Sequence, residues 1–203
     1  MTIPTPARWR ASKLGCLGLL LLLGLLLLLY GTQTGPRDLE RYPDPARSPY
    51  RLPWPEGVTR LCVQGNWGVV SHREGEEYAF DFAMPVDSPV CAARGGRVTR
   101  VVDEHDGQGR DAPNNLVVVD HGDGTFGAYL HLRRGGALVR PGQVVARGQV
   151  IARSGNVGKS LLPHLHFHVR DRQGACLPVS FGDVTQGRGV PRMFRRYRSG
   201  NRR

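Results

Sequence analysis

The heptapeptide PHLHFHV, residues 163–169, carries histidine at positions 164, 166 and 168. Side chains on a strand alternate between its two faces. His164, His166, His168 and Arg170 then share one face, and Leu165, Phe167 and Val169 share the other. The apolar set is a core face, so the imidazoles look into a groove or into water. Alternate residues stand about 6.6 Å apart along a strand. Two such rings can converge on one ion, or one can bind it while its neighbour moves a proton. A wet strand face gives the same pattern, so a metal site needs partners from elsewhere in the chain.

Candidates exist. In EYAFDFAM, Tyr78, Phe80 and Phe82 fall on one face, and Ala79, Asp81 and Ala83 on the other. A carboxylate between two alanines has open space before it. His72 sits in a loop nine residues earlier. His131, in FGAYLHL, is expected on a strand, sharing a face with Tyr129 and opposite Leu130 and Leu132. His105 reads as a solvated turn residue and His121 as a structural one at a strand end. A catalytic zinc takes three protein ligands from His and Asp/Glu and leaves a fourth position for water, whose pKa it lowers to about 7. His72, Asp81 and one of His164 and His166 fill such a set. The remaining histidines are left to act as base and oxyanion donor.

The elements that position these residues are short. Strand-like runs RLCV, EYAFDFAM, RVTRVV, NLVVVDHG, FGAYLHL, GQVVA, QVIAR and HLHFHVR alternate with glycine-containing turns. They predict a mainly β domain over 58–185. GQVVAR at 142–147 is followed at once by GQVIAR at 148–153, which suggests two short strands joined at Gly148 across a small sandwich or barrel. Residues 31–57 hold six prolines and read as a semi-rigid spacer. Residues 14–30 carry no charge and follow a basic segment over 1–13. As a helix they span about 25 Å, and the flanking charge keeps the N-terminus inside. The expectation is one transmembrane anchor, with a cleaved signal peptide as the competitor.

The formal net charge is +11, but ten basic residues at the two ends account for all but one of it: Arg8, Arg10, Lys13, and seven arginines after residue 185. The near-neutral body argues against nucleic acid as a partner. The segment 186–203 reads as a solvated basic tail, with anionic surfaces such as lipid head groups or wall polymers as natural contacts. Cys62, Cys91 and Cys176 lack zinc-knuckle spacing and stay outside the proposed metal set.

Several ordered blocks together carry a resemblance: SHREGEEYAFDFAMPVDSPVCAARGGRV, NNLVVVDHGDGTFGAYLHL, PGQVVARGQVIARSGNVG and PHLHFHV. From about Gly65 to Val184 the chain resembles the LytM/lysostaphin-type zinc metallopeptidases of bacterial cell walls. The resemblance implies a duplicated hybrid motif, a β-sandwich or open antiparallel sheet with a groove. It implies Zn2+ held by His72, Asp81 and His166, with His164 as general base and His131 steadying the oxyanion. It implies peptidoglycan cross-links as substrate, cut in the bacterial cell envelope by a domain outside the cytoplasm. Relatives that have lost these residues activate other wall hydrolases, so a non-catalytic module is the alternative. His72 and Asp81 lie nine apart, where many relatives place these ligands four apart. Leu161 and Leu162 replace a usual Thr-Gly. His168 replaces a usual Glu or Gln, and is expected to bond a ligand's far nitrogen rather than act as a fourth ligand.

Overall fold

In a computed structural model of the chain, residues 18–24 and 35–203 are described. Residues 18–24 are helical and exposed. Among the described residues no helix is long and apolar enough to cross a membrane. The rest of the expected anchor over 14–30 lies outside the described residues, as does the basic segment 1–13.

The body is mainly β. Eleven short strands follow in chain order: β1 (Thr59–Gln64), β2 (Phe80–Ala83), β3 (Pro89–Cys91), β4 (Gly96–Val102), β5 (Leu116–Asp120), β6 (Thr125–Leu130), β7 (Leu132–Ala137), β8 (Val144–Val145), β9 (Val150–Ser154), β10 (His164–Asp171) and β11 (Arg196–Arg198). Eight form one antiparallel sheet, ordered β11-β1-β2-β10-β6-β5-β4-β8, and three form a second, ordered β3-β9-β7. The echo GQVVAR/GQVIAR becomes β8 and β9, one in each sheet, with Gly148 between them at φ 79°. At that φ an L side chain is strained, so glycine suits the corner.

The alternation in EYAFDFAM and HLHFHVR drives the core. Phe80, Phe82, Leu165, Phe167 and Val169 are fully buried, and Phe181 packs edge-on against Phe80. β2 and β10 are neighbours in mid-sheet, and their register sets Asp81 directly opposite His166. Period-2 alternation then puts both on the face away from the core.

Two expected boundaries are corrected. The proline-rich stretch is no spacer: Tyr42, Tyr50, Leu52 and Trp54 are buried in the core, and Trp54 packs on Phe82 with ring centroids 4.8 Å apart. Two 3-10 turns, Leu39–Arg41 and Pro45–Arg47, bend this stretch, which carries its aromatic residues into the core. The arginine-rich segment is no free tail. β11 pairs with β1 as the sheet's edge, Asn201 Nδ2 donates to the Leu52 and Ala92 carbonyls at 3.0 and 3.1 Å, and Ser199 Oγ donates to the Trp54 carbonyl at 2.7 Å. Arg192, Arg195, Arg196 and Arg198 are exposed, as suits a charged edge strand that discourages further pairing. Charge counting saw these side chains and missed the backbone beneath them.

Candidate active site

His72, Asp81 and His166, all buried, bring one ligand atom each to within 4.8 Å of one another. Asp81 links the two rings: its Oδ1 is 2.8 Å from His166 Nδ1, and its Oδ2 is 3.2 Å from His72 Nε2. His72 Nδ1–H donates to the Gly65 carbonyl at 2.8 Å, so its Nε2 lone pair faces the cluster. That buried Nε2 has no hydrogen-bond partner. Two imidazole nitrogens and one carboxylate oxygen are a donor set suited to zinc, and an orphaned nitrogen aimed inward is what a ligand awaiting a metal presents. The residues fit the ion.

The Asp81 carboxyl is wholly buried, which raises its pKa. The hydrogen bond from His166, with the charges of His166 and His72, outweighs this and holds it well below the usual range. Burial likewise lowers His166, but Asp81 and Glu76 reverse the effect and raise it to about 9 without metal.

Two more imidazoles flank this trio. His164 Nδ1–H donates to the Leu162 carbonyl at 2.7 Å, with Ser160 Oγ at 3.0 Å, and its Nε2 stands 3.6 Å from Asp81 Oδ1. His131 Nδ1–H donates to the Val157 carbonyl at 2.9 Å. Its ring centroid lies 4.5 Å from that of His164 and 5.8 Å from that of His166. Thus the five expected residues are brought together.

Residues 75–178, half the chain, match peptidase family M23. The chain belongs to that family. Asp81, His131, His164 and His166 lie inside the matched stretch, and His72 lies just before it. The peptidoglycan DD-endopeptidase ShyA of Vibrio cholerae is 39% identical over 125 residues, covering 61% of this chain and 26% of that protein. An uncharacterized metalloprotease of Haemophilus influenzae is 37% identical over 109 residues, covering 53% of this chain and 22% of that one. The M23 chain therefore spans about a quarter of the length of these relatives. The deep-sea M23 metalloprotease pseudoalterin shares the fold at 20% identity and a TM-score of 0.52, over 77% of this chain and all of that structure.

In this M23 chain the face predicted for His131 is corrected. Tyr129 lies in the core, its hydroxyl accepting from the Ala93 N–H at 2.7 Å, while His131 joins the site. His131 has φ 62° between β6 and β7. A left-handed residue breaks strand alternation, and the Asn114 side chain holds this one, accepting from its N–H at 3.0 Å. His105 and His121 stay outside the site, and His121 Nδ1–H donates to the Gly95 carbonyl at 3.0 Å. Cys62, Cys91 and Cys176 are free and buried, apart from the ligand set. Leu161 and Leu162, just before His164 in the chain, are 88% and 74% exposed.

Sequence reasoning missed Gln64. Its Nε2 donates to Asp81 Oδ2 at 3.0 Å and to Ser71 Oγ at 2.7 Å, and its Oε1 accepts from the Val70 N–H at 3.1 Å. One amide thus ties Asp81 to the loop that carries His72. The signal was thin: a lone polar residue at the end of RLCVQ, pairing with Asp81 in register. Gly68 makes room for it, because a Cβ there would collide with the Gln64 side chain. Gly68→Ala is expected to displace that amide and weaken zinc binding about tenfold, in line with other losses of ligand support. Competition with a chromogenic chelator measures this; unchanged affinity would show that Gln64 is dispensable.

Proposed function

We propose that the chain is a zinc-dependent endopeptidase that hydrolyses peptide cross-links of bacterial peptidoglycan in the cell envelope. The observation that carries this reading is the buried trio His72, Asp81 and His166 within 4.8 Å, with His131 and His164 beside it. The named activity of ShyA supports the substrate class. The apolar segment 14–30 supports action outside the cytoplasm at the membrane, and the exposed arginines of 188–198 suit contact with anionic envelope polymers.

Zinc, when bound, lowers the pKa of water to about 7 and polarises the scissile carbonyl. The protein supplies the proton chemistry. His164, whose Nδ1–H is committed to Leu162, offers its Nε2 lone pair to take the proton from the attacking water. It then returns that proton to the leaving amine. His131 Nδ1–H is likewise committed, to Val157, so its Nε2 donates to the oxyanion only when the ring carries a second proton. Burial, with the charges of His164 and His166, pushes the His131 pKa down to about 3. The ring therefore rests neutral, and a second proton taken from solvent as negative charge develops on the carbonyl oxygen would let Nε2 donate to it.

Digestion of isolated sacculi by the full chain, with products read by mass, tests the proposal. Wild type is expected to release cross-link peptides. His164→Ala should release them at least a hundredfold more slowly, the usual range for a lost general base, while still binding zinc. Equal release by both sinks the assignment. Zinc binding without release by either favours the non-catalytic module that activates other hydrolases.

A further inference from the structure

Four imidazoles surround the candidate zinc position, and three are oriented by the main chain. His72, His131 and His164 each give Nδ1–H to a carbonyl, of Gly65, Val157 and Leu162. Side-chain substitution cannot remove those acceptors. His166 is the exception. Its Nδ1 faces Asp81, so its outward nitrogen is Nε2, and that atom meets side chains: His168 Nδ1 at 3.0 Å and Glu76 Oε2 at 3.3 Å.

Which of the two accepts the proton follows from Arg170. Its Nε–H donates to His168 Nε2 at 2.9 Å. A guanidinium can only donate, so His168 Nε2 is an acceptor and the neutral ring carries its proton on Nδ1. His168 Nδ1–H therefore cannot accept from His166, close as the two atoms are. The acceptor left to them is Glu76 Oε2, 3.1 Å from His168 Nδ1 and buried without a hydrogen-bond partner in the metal-free arrangement. Arg170 pairs with the other oxygen of Glu76.

We propose that Glu76 is the positioning residue of His166: it takes the Nε2–H, and so presents the Nδ1 lone pair to the metal. His168 and Arg170 hold the carboxylate in place. This rests on the zinc peptidase reading. Glu76, His166 and His168 also lie close enough to grip a cation of their own. Arg170 sets a permanent positive charge against that cluster, which favours the positioning role over a second metal.

Glu76 lies in the loop between β1 and β2, about 90 positions before His166 and His168, so the assignment comes from geometry alone. The test uses the full chain as wild type, Glu76→Gln, and Glu76→Gln with His168→Glu. The double variant returns a carboxylate from position 168, whose side chain already stands 3.0 Å from His166 Nε2. Zinc affinity is read by chelator competition, and ring protons by long-range 1H–15N correlation of the zinc-loaded protein. Glu76→Gln is expected to bind zinc about 10- to 100-fold more weakly and to shift the His166 Nε2–H resonance, leaving that of His72 Nδ1–H in place. The double variant should return to within about threefold of wild type. Wild-type affinity and an unmoved His166 resonance in Glu76→Gln overturn the inference. So does a loss that the double variant fails to restore and that also displaces the His72 and His164 signals, since that marks general misfolding. Absence of zinc binding by wild type would instead overturn the zinc reading itself.

Discussion

Asp81→Ala is expected to bind zinc more than a hundredfold more weakly than wild type and to lose at least a thousandfold in peptide release from sacculi. The reason is its place between the two imidazoles. Asp81 alone of the three proposed ligands makes a polar contact with both others, at 2.8 and 3.2 Å. It also supplies the single negative charge of the set, without which two neutral rings must meet a dication. Support residues around a metal are worth about 10- to 100-fold in affinity, so a ligand is worth more. Loss of the metal's contribution, several kcal/mol, converts to about a thousandfold or more in rate. Asp81→Asn keeps the shape and removes the charge, and should fail to the same degree. Circular dichroism should stay that of wild type in both, since Asp81 lies on the face away from the core. Undiminished zinc stoichiometry and affinity in either variant would refute the assignment of this carboxylate as a ligand.

The second large effect concerns the segment first taken for a tail. A chain ending at Arg198 is expected to melt at least about 10 °C below the full chain. Removing residues 199–203 leaves the Trp54 carbonyl unpaired and takes one of two donors from each of the Leu52 and Ala92 carbonyls, which keep the N–H groups of Trp54 and Gly148. It also takes the Gly200 N–H from Asp183, which keeps that of Leu52. A buried polar group left unpaired costs about 1–3 kcal/mol. One such loss, with three further hydrogen bonds removed at about 0.5–1.5 kcal/mol each, is a large share of the ~5–15 kcal/mol that holds a domain together, and each kcal/mol moves the midpoint of a domain this size by about 2–4 °C. Differential scanning calorimetry measures the change. A shift under about 2 °C would mean that the segment is as dispensable as its charge suggested.

Those two cases mark what the sequence made legible. Period-2 alternation exposed β2 and β10, with Phe80, Phe82, Leu165 and Phe167 inward and Asp81 and His166 outward, because a half-buried strand writes its geometry into every second residue. The site trio followed once the family resemblance joined distant blocks. What stayed hidden depends on contacts between segments far apart in the chain. Tyr42 and Trp54 sit among prolines whose local signal is that of a linker. β11 is three residues long, and its pairing partner is more than 130 positions away. His131 leaves strand geometry through one left-handed residue, which no alternation rule anticipates. Glu76 and Gln64 act through side chains that meet only after the sheet has formed.

The two roles of Leu162 are carried by different atoms. Its main-chain oxygen orients His164, while its side chain is exposed. The exposed side chains at positions 161 and 162 can therefore drift, or be redesigned, without unseating the proposed base. In such an architecture selectivity can evolve while the reaction chemistry is conserved.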